Sequence, residues 1–165
     1  MAKAAKKIES SSLNVGDKAP AFSMATDGGG NVALKDYAGK KNVVLYFYPK
    51  DDTPGCTTEA KDFSDLDAKF KKTDTVIIGV SKDPVKSHDK FKTKYCLPFT
   101  LASDEDGSVC EAYGVWVEKS MYGKKYMGIQ RATFLIDKKG SVAAVWPKVS
   151  VTGHAAEVLK TAESL

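Results

Sequence analysis

The chain has 165 residues, of which 42% are hydrophobic and 28% are charged, and its formal net charge is +4. This length and composition are typical of one globular domain with a full hydrophobic core. The basic residues are interspersed with Asp and Glu and are not concentrated in one stretch, so the sequence does not predict nucleic-acid binding. No apolar run reaches the roughly 18 residues that a membrane-spanning helix needs.

The cysteines and the N-terminus bear on the compartment. Cys56, Cys96 and Cys110 are odd in number and widely spaced, which is a poor disulfide framework. Neither histidine lies at metal-site spacing from a cysteine. Residues 1–12 are small, basic and serine-rich, and they lack the apolar centre of a secretory signal. The sequence predicts a flexible tail over residues 1–12, a single domain over residues 13–165, and a reducing, cytoplasmic location.

Strand and helix patterns alternate in the first half of the chain. Residues 13–25 predict a short strand region interrupted by Pro20, and a glycine-rich turn connects it to a return segment at residues 32–37, as in a β-hairpin. The next elements are an apolar strand at 43–48, a helix from about 57 to 71, and a β-branched run at 75–80 that is typical of a buried parallel strand.

The second half continues this alternation. Asp83 and Pro84 predict a helix start with Asp83 as the N-cap, and His88 and Phe91 lie on the inward face of that helix, where we interpret His88 as half-buried packing. The remaining predicted elements are a strand at 99–102, a brief helix after 106–107, a strand and a turn within 115–127, a hairpin of strands 130–137 and 141–146, and a last helix after 152–154. This order predicts an α/β, thioredoxin-like fold with a central mixed β-sheet flanked by helices and an N-terminal β-hairpin extension.

One cysteine stands out by its position. Cys56 lies in a Pro/Gly turn between the strand at 43–48 and the following helix, so it falls in the first helical turn. Unpaired backbone N–H groups and the positive end of the helix dipole lie there, and both favour a thiolate over a thiol. Asp51 and Asp52 would oppose this effect if they faced the sulfur. The sequence therefore predicts a reactive cysteine rather than a buried, inert one.

The residues around Cys56 resemble a known family. Pro49, Thr53 and Cys56 have the spacing of the peroxidatic signature of the peroxiredoxins, and residues 48–60 as a whole resemble the bacterioferritin comigratory protein class. Further segments of the resemblance follow in the expected order at residues 78–81, 87–88, 91, 103–104, 112–115 and 131–137. The resemblance implies a thiol-dependent peroxidase that reduces hydrogen peroxide and organic hydroperoxides through a sulfenic acid on Cys56, with no metal, haem, flavin or nucleotide.

The resemblance also implies roles for the neighbours of Cys56. Thr53 would donate its hydroxyl to the peroxide, although threonine at this place is often a cap. The backbone N–H groups of Gly55 and Cys56 would donate as well. Pro49 would keep water from the sulfur, or it merely ends the strand. Arg131, just before a strand, would orient the peroxide. We leave Glu59 out of the catalytic set, because a carboxylate in the first turn favours the helix without any catalytic duty.

The second half of the catalytic cycle needs a reductant. The two positions at which relatives carry a resolving cysteine are Lys61 and Lys92 here. Cys96 lies one helical turn beyond Lys92 and is the candidate for an internal disulfide, whereas Cys110 is expected to be packing. We favour a one-cysteine mechanism with an external reductant: a thioredoxin, a glutaredoxin-type protein or a small thiol. The class also implies a monomer. A redox sensor that uses Cys56 as a switch, and a disulfide oxidoreductase, are the alternatives.

Overall fold

The computed structural model describes residues 13–165, so the tail predicted at residues 1–12 lies outside the described residues. The strands are β1 (Ser23–Thr26), β2 (Asn31–Ala33), β3 (Asn42–Phe47), β4 (Thr75–Ser81), β5 (Thr100–Ser103), β6 (Trp116–Met121), β7 (Lys124–Ile129), β8 (Ala132–Ile136) and β9 (Val142–Trp146). The helices are α1 (Pro54–Lys72), α2 (Val85–Tyr95), α3 (Ser108–Ala112) and α4 (His154–Glu163), and 3-10 turns follow β1 at Asp27–Gly29 and β2 at Leu34–Tyr37.

Seven of the strands form one mixed sheet in the order β2-β1-β5-β4-β3-β8-β9. The central strands β3, β4 and β5 are parallel, and β1, β2, β8 and β9 pair antiparallel at the two edges. All six residues of β3 are buried, because helices and loops cover both faces of the sheet. The mixed sheet and the N-terminal hairpin of β1 and β2 confirm the predicted fold class.

Two hydrophobic clusters, one on each face of the sheet, make up the core. Successive side chains of β3 point to opposite faces, so Tyr46 joins one cluster and Phe47 the other. The Tyr46 cluster receives α1 and α4, and the Tyr46 ring stacks on Phe63 of α1 with centroids 4.7 Å apart. The Phe47 cluster receives α3, where Tyr113 directly follows the helix. This packing fixes α1, and with it Cys56, against the sheet.

Three predicted boundaries are wrong. Residues 13–22 form no strand, because Pro20 has no N–H for a ladder; instead Lys18 makes an isolated antiparallel bridge with Ser141, just before β9. Helix α1 begins at Pro54 rather than near residue 57. The N-cap of α2 is Pro84, not Asp83, because the Asp83 carboxylate accepts hydrogen bonds from the Ser81 hydroxyl and the Asp51 N–H.

The strand and turn predicted within 115–127 form a separate hairpin. Strands β6 and β7 pair only with each other and turn at Tyr122 and Gly123, both of which have positive φ. Among the described residues, none of the helices is long and apolar enough to cross a membrane.

Candidate active site

The end of β3 and the start of α1 place Cys56. Thr53 is the N-cap residue and Pro54 opens the helix, so Cys56 is the third helical residue. The first helical hydrogen bond runs from the Thr57 N–H to the Thr53 carbonyl at 2.8 Å, so the N–H groups of Gly55 and Cys56 precede the helical ladder. The Cys56 side chain is 1% exposed and packs with the Tyr46 cluster. Its sulfur is therefore shielded from solvent at a helix end whose first N–H groups lie outside the helical ladder.

Arg131 is brought to this sulfur by strand pairing. It directly precedes β8, and β8 pairs with β3 so that Ala132 stands opposite Phe47 at the end where α1 begins. The Arg131 Nη2 atom donates to the Cys56 Sγ at 3.3 Å, and its Nη1 atom donates to Glu59 Oε1 at 2.6 Å. A guanidinium in this position stabilises negative charge on the sulfur and leaves a donor for a peroxide oxygen.

Glu59 is the residue that the sequence reasoning left out. It is 1% exposed, and it lies one helical turn after Cys56 on the same face of α1. Burial raises the pKa of Glu59 to about 7, against the opposing effect of the Arg131 charge. Its contact with Arg131 makes it a positioning residue, because it fixes the fork of the guanidinium. The sequence feature that could have identified Glu59 is its position three residues after Cys56 within the motif.

Gly55 has a role that the sequence did not predict. A Cβ built at this residue would stand 3.2 Å from the Arg131 Nη2 atom. The absent side chain therefore makes room for the guanidinium, in addition to any approach of the substrate to the backbone.

Replacing Gly55 with alanine is therefore expected to separate activity from stability. Alanine is the better helix former, so the free energy of unfolding should stay the same or rise by roughly 0.5–1 kcal/mol. The displaced guanidinium should lower the rate constant for peroxide by about tenfold. Stopped-flow kinetics and urea unfolding check the two parts. An unchanged rate constant would show that the Arg131 position tolerates the added methyl group.

Two other predicted residues are not seen in contact with the sulfur. The Thr53 hydroxyl donates to the Lys50 carbonyl at 2.9 Å and closes a turn, and it makes no side-chain cap to the helix. Pro49 is exposed just after β3. The predicted roles, in which Thr53 donates to the peroxide and Pro49 shields the sulfur from water, stay predictions.

The loop before α1 is held by a buried polar network. His88 on α2 is fully buried rather than half-buried, and its Nδ1 atom lies 2.7 Å from Asp51 Oδ2 while Nε2 lies 2.9 Å from the Ala102 carbonyl. Tyr48 and Ser87 donate their hydroxyls to the same Asp51 carboxylate. Both ring nitrogens of His88 face acceptors, so both donate when the ring is protonated.

The same network contains atoms that a metal could use. Asp51, Asp83 and His88 bring one oxygen or nitrogen each within 4.8 Å of one another. The two carboxylates, however, already accept hydrogen bonds from Ser87, Ser81 and a backbone N–H. A histidine that donates from both nitrogens has no lone pair for a metal. The geometry is that of a buried ion pair.

The two remaining cysteines differ in environment. Cys96 is exposed and has φ of 53°, so it lies just past the end of α2 and not on the helix face that the sequence predicted. Cys110 is buried; burial, followed by a hydrogen bond and the charge of Asp104, raises the pKa of its thiol far above the usual range. At the position of one familiar resolving cysteine, Lys92 forms an ion pair with Asp27 at 2.8 Å.

Comparisons with known proteins agree with this geometry. Residues 15–145 match the model of the AhpC/TSA family. A putative peroxiredoxin Bcp of Coxiella burnetii is 59% identical over 90% of this chain and 97% of its own length. A peroxiredoxin Bcp of Bacillus subtilis is 51% identical over 93% of this chain and 97% of its own length.

Solved structures match over most of the chain as well. A Xylella fastidiosa PrxQ mutant superposes with a TM-score of 0.87 at 40% identity, over 92% of this chain and 96% of that chain. A Xanthomonas campestris bacterioferritin comigratory protein, studied for its alkyl peroxide reduction activity, superposes with a TM-score of 0.83 at 46% identity, over 87% of this chain and 90% of that chain. This chain therefore belongs to the peroxiredoxins, in the bacterioferritin comigratory protein class, and is a thiol-dependent peroxidase.

Proposed function

We propose that Cys56 is the peroxidatic residue and that it reduces hydrogen peroxide and organic hydroperoxides. The thiolate attacks one peroxide oxygen, the O–O bond breaks, and the second oxygen leaves with a proton as water or an alcohol. The sulfur is oxidised to a sulfenic acid. The observation that carries this proposal is the 3.3 Å contact of Arg131 Nη2 with the Cys56 sulfur at the N-terminus of α1.

The Arg131 guanidinium and the N–H groups of Gly55 and Cys56 would stabilise the charge that develops on the peroxide oxygens. The Xanthomonas campestris relative, studied for alkyl peroxide reduction, supports including organic hydroperoxides among the substrates. Thr53 and Pro49 belong to the proposed site as donor and apolar wall; a hydroxyl has one proton, so Thr53 would turn from the Lys50 carbonyl to the peroxide.

We further propose that an external thiol completes the cycle. One thiol attacks the sulfenic sulfur, an S–S bond forms and water leaves; a second thiol attacks this mixed disulfide and releases the Cys56 thiol. The net reaction consumes one peroxide and two thiols, and it yields an alcohol or water, one water and one disulfide. The buried, poorly acidic Cys110 and the Lys92–Asp27 ion pair support this route over an internal disulfide.

The physiological reductant in this proposal is a thioredoxin or a glutaredoxin-type protein, and the protein acts as a monomer in a cytoplasmic, reducing environment. Such an environment would keep the thiols of both partners available between turnovers. The alternative is an internal disulfide between Cys56 and Cys96, because the Cys96 thiol is exposed.

Changing Cys96 to serine together with Cys110 to alanine tests the one-cysteine route. Peroxide turnover with dithiothreitol should stay within about twofold of the parent protein, since an external thiol replaces the resolving step. The intact mass of the parent protein and of the double variant should each rise by one oxygen after one equivalent of peroxide. Cys56→Ser should abolish both the turnover and this gain in mass. A loss of two hydrogens in the parent protein that the double variant does not show would assign the resolving role to one of the two cysteines, whatever the turnover with dithiothreitol.

A further inference from the structure

The β6–β7 hairpin carries four of the six large hydrophobic side chains that are exposed in the described chain. Large hydrophobic side chains that are exposed within residues 13–165 are Val15, Met121, Tyr122, Tyr126, Met127 and Leu165. Four of them lie on this hairpin or at its tip, where Tyr122 is 97% exposed. Apolar side chains clustered on a surface mark a site of interaction more often than scattered ones do.

The register of the hairpin separates its side chains onto two faces. Lys119 is opposite Tyr126, and Met121 is opposite Lys124; residues directly opposite each other, and residues two apart in a strand, share a face. The stem of Lys119 crosses Gly128, where an added Cβ would stand 3.3 Å from the lysine Cδ. We name this surface the active-site face, and its members are Val117, Lys119, Met121, Lys124, Tyr126 and Gly128.

This face adjoins the peroxidatic cysteine. Strand β7 ends at Ile129, two residues before Arg131, so the base of the hairpin leads directly into the residue whose guanidinium contacts the Cys56 sulfur. The pKa of Lys119 is lowered by burial and by the charge of Arg131, and the Cys56 sulfur opposes this shift. Lys119 is therefore within electrostatic range of both groups, and a molecule that reaches Cys56 from this side meets the hairpin.

The active-site face is basic as well as apolar: its exposed apolar side chains are Met121 and Tyr126, with Tyr122 at the tip, whereas Met127 lies on the opposite face. It carries Lys119 and Lys124 and no carboxylate, and neither lysine has an ion-pair partner among the described residues. The opposite face carries Glu118, whose carboxylate lies 3.7 Å from Lys125. A partner for the active-site face would have to offer acidic and apolar groups together.

We propose that the active-site face is the docking surface for the protein reductant of Cys56, and that this reductant presents an acidic and apolar surface around its own reactive thiol. The inference rests on the proposed thiol-dependent cycle of Cys56. Docking would hold the reductant's thiol near the sulfenic sulfur, so that the S–S bond forms and water leaves within one complex.

Charge and chemistry favour this occupant over two others. A second copy of the chain docked through the same face would place two basic surfaces against each other. An anionic lipid surface would match the charge, but it carries no thiol to reduce the sulfur. A protein reductant matches the charge, covers the apolar side chains and supplies the reaction that the neighbouring cysteine needs.

Reversing one charge on each face of the hairpin tests the proposal. Lys124→Glu changes the active-site face at the end remote from Cys56, and Lys125→Glu is the matched control one residue away on the opposite face. Peroxide turnover is measured with thioredoxin and with glutaredoxin systems, each regenerated by its reductase chain and NADPH, and separately with dithiothreitol. Lys124→Glu should raise the KM for the protein reductant by about five- to tenfold at low salt, and the difference should shrink at high salt.

The same proposal expects the rate with dithiothreitol to be unchanged in both variants and Lys125→Glu to stay within about twofold of the parent protein. Equal effects on the two faces would overturn it, as would turnover with dithiothreitol but with neither protein reductant. A dimer that Lys124→Glu dissociates in sedimentation velocity, or binding to phosphatidylglycerol vesicles that this variant abolishes, would assign the face to another occupant. No turnover with any thiol would instead reject the proposed function itself.

Discussion

Replacing Arg131 with lysine is expected to lower the second-order rate constant for hydrogen peroxide by roughly a hundredfold or more. The guanidinium contacts the Cys56 sulfur through one nitrogen and Glu59 through the other, and a lysine ammonium is a single point that cannot keep both contacts. Stopped-flow fluorescence or competition kinetics would measure the rate constant at pH 7. The change removes the fork of donors while it keeps the positive charge.

A second variant locates the cause of this loss. Glu59→Gln keeps an oxygen that can accept from the Arg131 Nη1 atom, so the rate constant should fall by only about tenfold or less. If Arg131→Lys were as active as the parent protein, charge alone would explain the effect of residue 131. If Glu59→Gln were the more damaged of the two, Glu59 would have a role beyond positioning.

Replacing His88 with alanine is expected to lower the free energy of unfolding by roughly 3–5 kcal/mol at pH 6, because it leaves the buried Asp51 carboxylate without its cationic partner. Burial alone would lower the pKa of His88, but the hydrogen bond and charge of Asp51 and the Ala102 carbonyl raise it above the usual value. A histidine whose pKa is raised in the folded state stabilises the protein fully below its unfolded pKa of about 6.5. That contribution is lost as the pH rises through the folded pKa.

The stability gap between the parent protein and His88→Ala should therefore narrow between pH 6 and pH 9. Urea unfolding at the two pH values measures it, and the cost of the cavity cancels in the comparison. His154→Phe is the matched control: burial lowers the pKa of His154 to about 4, so its neutral ring opposes folding as the pH falls below about 6.5, and the gap for this variant should widen rather than narrow from pH 6 to pH 9. A gap for His88→Ala that is equal at both pH values would mean that the ring is neutral in the folded protein.

The network around His88 also explains how the Cys56 turn is held. Asp51 is tied to His88, and the Asp52 carboxylate accepts from Lys94 and Tyr95 at 2.8 and 2.7 Å. Both contacts join the loop before α1 to α2. These contacts therefore oppose movement of the loop that leads into the first turn of α1, where Cys56 is buried.

The order of strands and helices could be predicted because its signals are local. The apolar runs of β3 and β4 and the helical spacing of Phe63 and Phe70 identify buried elements without any knowledge of their neighbours. The start of α2 was predicted wrongly because a contact between residues far apart in the chain decides it: the Asp83 carboxylate accepts from the Asp51 N–H.

The site was predictable only in part for the same reason. The place of Cys56 at a helix start follows from the turn residues, but the burial of Glu59 beside Arg131 depends on the pairing of β8 with β3. His88 looked like packing because its partner Asp51 lies 37 residues away, and nothing in the spacing signals an ion pair. The position of the loop before α1 and the orientation of the Arg131 guanidinium depend on long-range contacts of the folded sheet, which the local motif does not reveal.

In the proposed function, a single sulfur attacks the O–O bond, and the Arg131 guanidinium and the first turn of α1 would supply its reactivity. The direct measurement is the second-order rate constant for hydrogen peroxide with the variant that retains only Cys56. We expect this constant to exceed that of free cysteine at the same pH by at least about a hundredfold. A folded protein whose sulfur reacts no faster than free cysteine would show that Arg131 and the helix start do not activate Cys56.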